Sequence, residues 1–147
     1  MDKENILMRI QDCGIVAVVR AENADKAERI VDACMEGGVA AIELTFSVPH
    51  ADRVIETLSY KYDPKDIILG AGTVMDAATA RIAMLSGAQY IVSPYLDLET
   101  LRMCNRYRVP MMPGVMSVRE AVTAMENGAD ILKVFPGDLF GAGGERS

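Results

Sequence analysis

Six short runs of β-branched and aliphatic residues recur along this 147-residue chain, and each is followed by a stretch with helical periodicity. The strand-like runs fall at 15–19, 40–45, 67–70, 89–93, 110–113 and 130–135. Between them the apolar residues recur at three- and four-residue spacing. Ala27, Ile30, Val31 and Cys34 share one face, as do Val54, Ile55 and Leu58, then Ala78, Ile82 and Leu85. Leu98, Leu101 and Met103, and later Ala121, Val122 and Met125, continue the scheme. Gly37-Gly38, Gly87 and Gly128 close helices where a left-handed residue costs little, and Asp97 and Ser117 stand as N-caps.

Strands that are apolar throughout and separated by helices belong in a parallel sheet covered on its faces. A weak internal repeat narrows the choice of architecture. Gly38-Val39-Ala40, Gly87-Ala88-Gln89 and Gly128-Ala129-Asp130 each set a glycine at a helix end just before a strand. Repetition of one βα unit points to a TIM (β/α)8 barrel rather than a doubly wound sheet. The 115 residues from Ile15 to Asp130 span five intervals, about 23 residues per unit. Eight units of that size need roughly 200 residues, the low end for this barrel. The expectation is a single partial barrel domain over 1–147, with about six of eight units present and residues 140–147 too short and glycine-rich for another helix.

Composition excludes several classes. Half of the residues are hydrophobic but only 5% are aromatic, so the core is aliphatic, with the 10 methionines as filling. The net charge of -6 and the lack of a basic stripe argue against nucleic acid or an anionic membrane as partner. Cys13, Cys34 and Cys104 are far apart, with no C-x-x-C, which argues against zinc and against a disulfide framework. The acidic start lacks the features of a signal peptide, and no apolar run approaches the roughly 18–20 residues that cross a bilayer. A soluble cytoplasmic protein is expected.

In such barrels the reactive groups lie at the C-terminal ends of the strands. That rule selects Arg20, Glu43, Thr45, the Gly70-Ala71-Gly72-Thr73 run, Ser93-Pro94, Pro113-Gly114 and Lys133 before Phe135-Pro136. Lys133 interrupts an otherwise apolar strand, and alternation turns it to the barrel interior if Leu132 and Val134 face the helices. Burying an ammonium is costly, and folds tolerate it where a free amine is wanted for attack on a carbonyl. An isolated lysine of this kind more often snorkels from a strand end. Glu43 breaks a second apolar strand in the same way, and a carboxylate near such a lysine shuttles protons; the competing role is an ion pair with Lys133 or Arg20. Arg20 offers a fork for a carboxylate or phosphate, with a solvated strand end as the alternative. Thr73 offers a hydroxyl and neighbouring N–H groups to an anion, but Met75 breaks any dinucleotide fingerprint. His50, the one histidine, reads as a surface or capping residue.

The blocks Ile15-Val16-Ala17-Val18-Val19-Arg20, Ile42-Glu43-Leu44-Thr45-Phe46, Gly70-Ala71-Gly72-Thr73-Val74, Ile91-Val92-Ser93-Pro94, Met112-Pro113-Gly114-Val115 and Leu132-Lys133-Val134-Phe135-Pro136-Gly137 resemble, in order, those of the 2-keto-3-deoxy-6-phosphogluconate and 4-hydroxy-2-oxoglutarate aldolases. The resemblance runs to about Gly141. It implies a class I aldolase in which Lys133 forms a Schiff base with the substrate ketone and Glu43 is the general acid/base. Arg20, Thr73, Pro94 and Phe135 would line the pyruvate end of the pocket. It also implies a small keto acid substrate, either pyruvate or a phosphorylated keto-deoxy sugar acid. No cofactor and no metal would be needed, and the assembly would be a homotrimer. Ser47 stands where some members carry arginine, which bears on substrate choice. Two further strands of the family, with the glycine-rich ends and serine that hold the substrate phosphate, have no counterpart here. That leaves a second reading: a truncated inactive fragment or a non-catalytic assembly partner.

Overall fold

The computed structural model describes residues 2–137. Twelve elements follow one another in it: α1 (Lys3–Cys13), β1 (Ala17–Val19), α2 (Ala24–Glu36), β2 (Ala41–Thr45), α3 (Ala51–Lys61), β3 (Ile68–Gly72), α4 (Ala77–Ser86), β4 (Tyr90–Ser93), α5 (Leu98–Arg106), β5 (Met111–Val115), α6 (Val118–Glu126) and β6 (Lys133–Val134). All six strands are parallel, and each pairs with its neighbours in sequence, in the order β1-β2-β3-β4-β5-β6. This is an incomplete TIM-type barrel. Among the described residues, β1 and β6 each have one strand neighbour.

The six expected strands are all present, shifted or shortened by a few residues at their ends. The helix starts follow from side-chain chemistry. Asp97 accepts from the Thr100 N–H and Ser117 from the Glu120 N–H, as expected; Asn23 and Asp76 do the same for α2 and α4. Gly87 takes a left-handed φ of 118° at the end of α4.

Alternation along the strands makes two cores. On the outer face Val19, Ile42, Leu44, Leu69, Ala71, Ile91 and Met111 pack under the helices. On the inner face Ile68, Tyr90, Val92 and Met112 pack against Ile6 and Ile10 of α1. Helix α1 is an element the strand-and-helix pattern did not reveal. It lies across the N-terminal end of the sheet, capped by Asp2 and tied to the entry of β6 by a 2.8 Å Lys3–Asp130 ion pair.

The helix faces also correct the expected pattern. α2 buries Ala27 and Val31, with Ile30 on its exposed side, and α3 buries Val54, Ile55 and Leu58 as read. α4, by contrast, turns Ala80 and Ala83 to the sheet and leaves Ile82 half exposed and Leu85 70% exposed. α6 buries Ala124 and leaves Val122 and Met125 outside. Alanine on the inward side lets a helix lie close to the strands, so in these two helices the small residues mark the core. The methionines are likewise not all filling: Met111 and Met112 are buried, but Met8, Met75, Met116 and Met125 are exposed.

The packing of α1 makes it the floor of the sheet. Ile10→Ala is expected to lower the free energy of unfolding by about 2–4 kcal/mol, read by urea denaturation. A loss within experimental error would mean that α1 is an appendage and not a floor.

Candidate active site

Glu43 and Lys133 stand on the inner face, on strands at opposite parts of the sheet. Their side is fixed by alternation. Ile68, Tyr90, Val92 and Met112 belong to the inner core, with Val16 and Ile131 packed against it. Val18 and Lys133, two residues beyond Val16 and Ile131, therefore point the same way, as does Glu43, whose carboxylate reaches the inner side of β3. In register, Glu43 pairs with Val18 on one side and Gly70 on the other, and Lys133 pairs with Gly114.

The inner layers differ in size. The lower layer is filled by Ile68, Tyr90, Val92 and Met112. The next layer up is lined by Gly70, Gly72 and Gly114 as well as Val18, Glu43 and Lys133, so the charged side chains have space above a solid floor. Tyr90 is fully buried. Its ring occupies the place that a side chain at Gly70 would take, and its hydroxyl donates to the Ile42 carbonyl at 2.6 Å. At Gly114 a side chain would meet the Pro94 carbonyl and, at 2.8 Å, the Tyr95 nitrogen. The β4–α5 connection therefore crosses over β5, and Pro94 is held at the rim.

Glu43 is 6% exposed and has no hydrogen-bond partner or close ion pair among the described residues. Burial raises its carboxyl pKa above the ordinary glutamate value, and the positive charge of Lys133 draws it partly back. Lys133 is half-buried, and its Nζ lies 4.7 Å from the centre of the Phe135 ring, within cation–π range. The pair is close enough for one charge to act on the other but is not a closed salt bridge.

The remaining expected residues sit around this pair. Pro94 is half-buried beside Gly114, and Phe135 covers Lys133 from the exit of β6. Thr73 follows β3 with a left-handed φ of 54°, uncommon for a threonine. Arg20 is exposed at the end of β1 and donates to the Ser47 hydroxyl at 3.4 Å. His50 occupies the N-cap position of α3 with φ 64°, but its side chain makes no cap bond and lies outside the barrel beside Asn23 and Arg53. Gly72 was selected only as part of the Gly70-Ala71-Gly72-Thr73 run, with no role of its own, and Tyr90 was not singled out from the sequence. A tyrosine in an apolar strand and a glycine two residues from another were the signals available.

A parallel βα sheet with a lysine and a buried glutamate at the C-terminal ends of its inner face is a barrel whose candidate reactive groups stand where such barrels carry their chemistry. The family described as KDPG and KHG aldolase is matched over residues 6–144. The chain belongs to this family. It is 33% identical to a 2-dehydro-3-deoxy-phosphogluconate aldolase of Treponema pallidum, over 86% of this chain and 60% of that protein. It is also 33% identical to a 2-dehydro-3-deoxy-6-phosphogalactonate aldolase of Escherichia coli, over 86% of this chain and 62% of that one. Among solved structures, the KDPG aldolase of Legionella pneumophila, with pyruvate captured as a covalent carbinolamine intermediate, superposes with a TM-score of 0.80 at 26% identity. That match covers 89% of this chain and 63% of the other. The chain thus spans about 60% of the length of the curated relatives it matches.

The desolvated carboxylate has a consequence for stability. Because the folded state holds the Glu43 proton more tightly than the unfolded chain, ionisation destabilises the fold. Stability attributable to this group is full below the ordinary glutamate pKa and is lost as pH rises through the raised folded value. Glu43→Gln is therefore expected to melt with wild type near pH 4 and about 2–4 °C above it at pH 8, as thermal unfolding across pH would read. Equal melting at both pH values would mean that the carboxylate is not penalised by its surroundings.

Proposed function

We propose that this chain carries the Schiff-base chemistry of a class I aldolase acting on 2-keto-3-deoxy-6-phosphogluconate or a related 2-keto-4-hydroxy acid. The observation that supports the reading is the convergence of Lys133 and Glu43 on one inner face, above a floor sealed by Tyr90 and α1. The carbinolamine trapped in the Legionella relative is the same kind of chemistry.

In this reading the neutral amine of Lys133 attacks the C2 ketone, and the carbinolamine takes the Glu43 carboxyl proton on its hydroxyl and loses water, which leaves the protonated imine and the Glu43 carboxylate. Glu43, as carboxylate, takes the proton of the C4 hydroxyl. The C3–C4 bond breaks, the C4 oxygen becomes the aldehyde carbonyl, and the bonding electrons enter the imine to leave an enamine. Return of the proton from Glu43 to C3 gives the pyruvate imine, and water releases pyruvate and the free lysine. A raised carboxyl pKa suits Glu43 to both taking and returning the proton. Arg20, Thr73, Pro94 and Phe135 would line the pyruvate end, with Thr73 near the carboxylate. No metal or cofactor takes part, and the protein would work in the cytoplasm as a homotrimer.

The competing reading, an inactive fragment or assembly partner, draws on the two sheet edges, which have no second strand neighbour among the described residues. Val18 on the inner face is 65% exposed, and Val134 on the outer face of β6 is 59% exposed. Both residues lie where a neighbouring element would cover them. The family match favours the aldolase reading over this one.

Incubation with pyruvate and sodium borohydride separates the two. The expected result is one lactyl adduct, mapped by peptide mass spectrometry to Lys133 and abolished by Lys133→Met. Folded protein without an adduct would rule out the aldolase reading for this chain by itself.

A further inference from the structure

We infer that Gly72 is the positioning residue for Glu43: its bare backbone forms the seat against which the carboxylate lies. The inference rests on the reading of Glu43 as the proton-transfer group. A side chain at position 72 would begin 2.7 Å from Glu43 Cγ and 2.6 Å from Cδ, and it would collide with Oε2. Real Cβ atoms essentially never come so close, so any other residue here displaces the carboxylate. Gly72 carries no left-handed φ that would demand glycine, so its backbone does not explain the residue. Space does.

The seat works by elimination of alternatives. Glu43 pairs in register with Gly70, but the inner side of Gly70 is filled by the Tyr90 ring. The carboxylate is therefore kept from leaning down and lies one step further along β3, against Gly72 and toward the C-terminal mouth. The Tyr90 hydroxyl holds the Ile42 carbonyl, the backbone group immediately before Glu43, at 2.6 Å. Seat, floor and backbone anchor fix where the carboxylate stands without any hydrogen bond to it. A base held by packing alone keeps its oxygens open to substrate, and a misplacement of about 1 Å is enough to slow a reaction about 100-fold. The groups that face Glu43 and carry charge or titrate are Lys133 from β6 and Tyr90 from β4. Val18, Gly70 and Gly114 on the other strands carry none.

The test is a double-mutant cycle of wild type, G72A, E43A and G72A/E43A, with the Glu43 carboxyl titrated by carbon NMR in the first two. G72A is expected to lower Tm by about 1–2 °C with Glu43 present, because the group that must give way is the end of a flexible side chain. In the E43A background it should be neutral or stabilising, since an alanine that fits its backbone restricts the unfolded chain. The Glu43 titration should shift toward the ordinary glutamate value in G72A as the carboxylate is pushed off its seat, and exchange of the pyruvate methyl protons into deuterated water should slow about tenfold or more. An equal cost of G72A in both backgrounds, or an unchanged Glu43 titration, overturns the inference. If G72A does not fold, G72A/E43A must, because the collision is gone; failure of both overturns it as well. Loss of proton exchange in wild type with the stability coupling intact would sink the aldolase reading and leave the seat standing.

Discussion

The Tyr90 hydroxyl reaches past β3 to the Ile42 carbonyl on β2, and its ring fills the hollow that Gly70 leaves between them. Three strands are thereby tied through one side chain, inside a face that would otherwise be half empty. Below it Ile68, Met112 and helix α1 complete a dry layer; above it the lining changes to glycine, glutamate and lysine. The division between structure and chemistry in this barrel is the plane of the Tyr90 ring. A smaller residue there would open the floor under Glu43, and a larger one at Gly70 would push the ring upward into the space that Glu43 and Lys133 share.

Much of this was legible from the sequence because strand alternation is a strict rule. An acid at 43 and a lysine at 133 each stand out between apolar neighbours; alternation turned the lysine inward if Leu132 and Val134 faced the helices, and the structure has both on the inner face. Parallel order followed from strands that are apolar on both sides, and the sequential neighbours followed from the repeat of one βα unit. The parts that escaped are those in which a residue acts through what it lacks. Gly72 carries no group to recognise, and its role appears only once Glu43 is seen lying across it. Similarly, Ile82 and Leu85 gave α4 its apparent apolar face, whereas the sheet is approached by Ala80 and Ala83. Helix α1 was missed for another reason: its two buried residues, Ile6 and Ile10, are too few to stand out in an otherwise polar stretch.

Electrostatics in the site follow from the same geometry. Glu43 is surrounded by Val18, Gly70 and Gly72, none of which offers it a side-chain hydrogen-bond donor, so desolvation outweighs the attraction of Lys133. Lys133 sits at the opposite end of the sheet order and is brought near only because the sheet curves. The two charges act on each other through the lumen rather than through a bond. That arrangement leaves room for a ligand between them, which a closed ion pair would occupy.

The strictly sequential strand order carries an entropic meaning. Every strand pair is closed by a crossover of 17 to 22 residues, so the five loop closures cost similar entropy. One tie runs the full length of the described chain: α1 packs under the middle strands and bonds through Lys3 to Asp130. The first helix and the entry of the last described strand are thereby held to the same face of the sheet. The element furthest in sequence from the lysine thus closes the floor beneath it, and the two ends of the described chain depend on one another for their place.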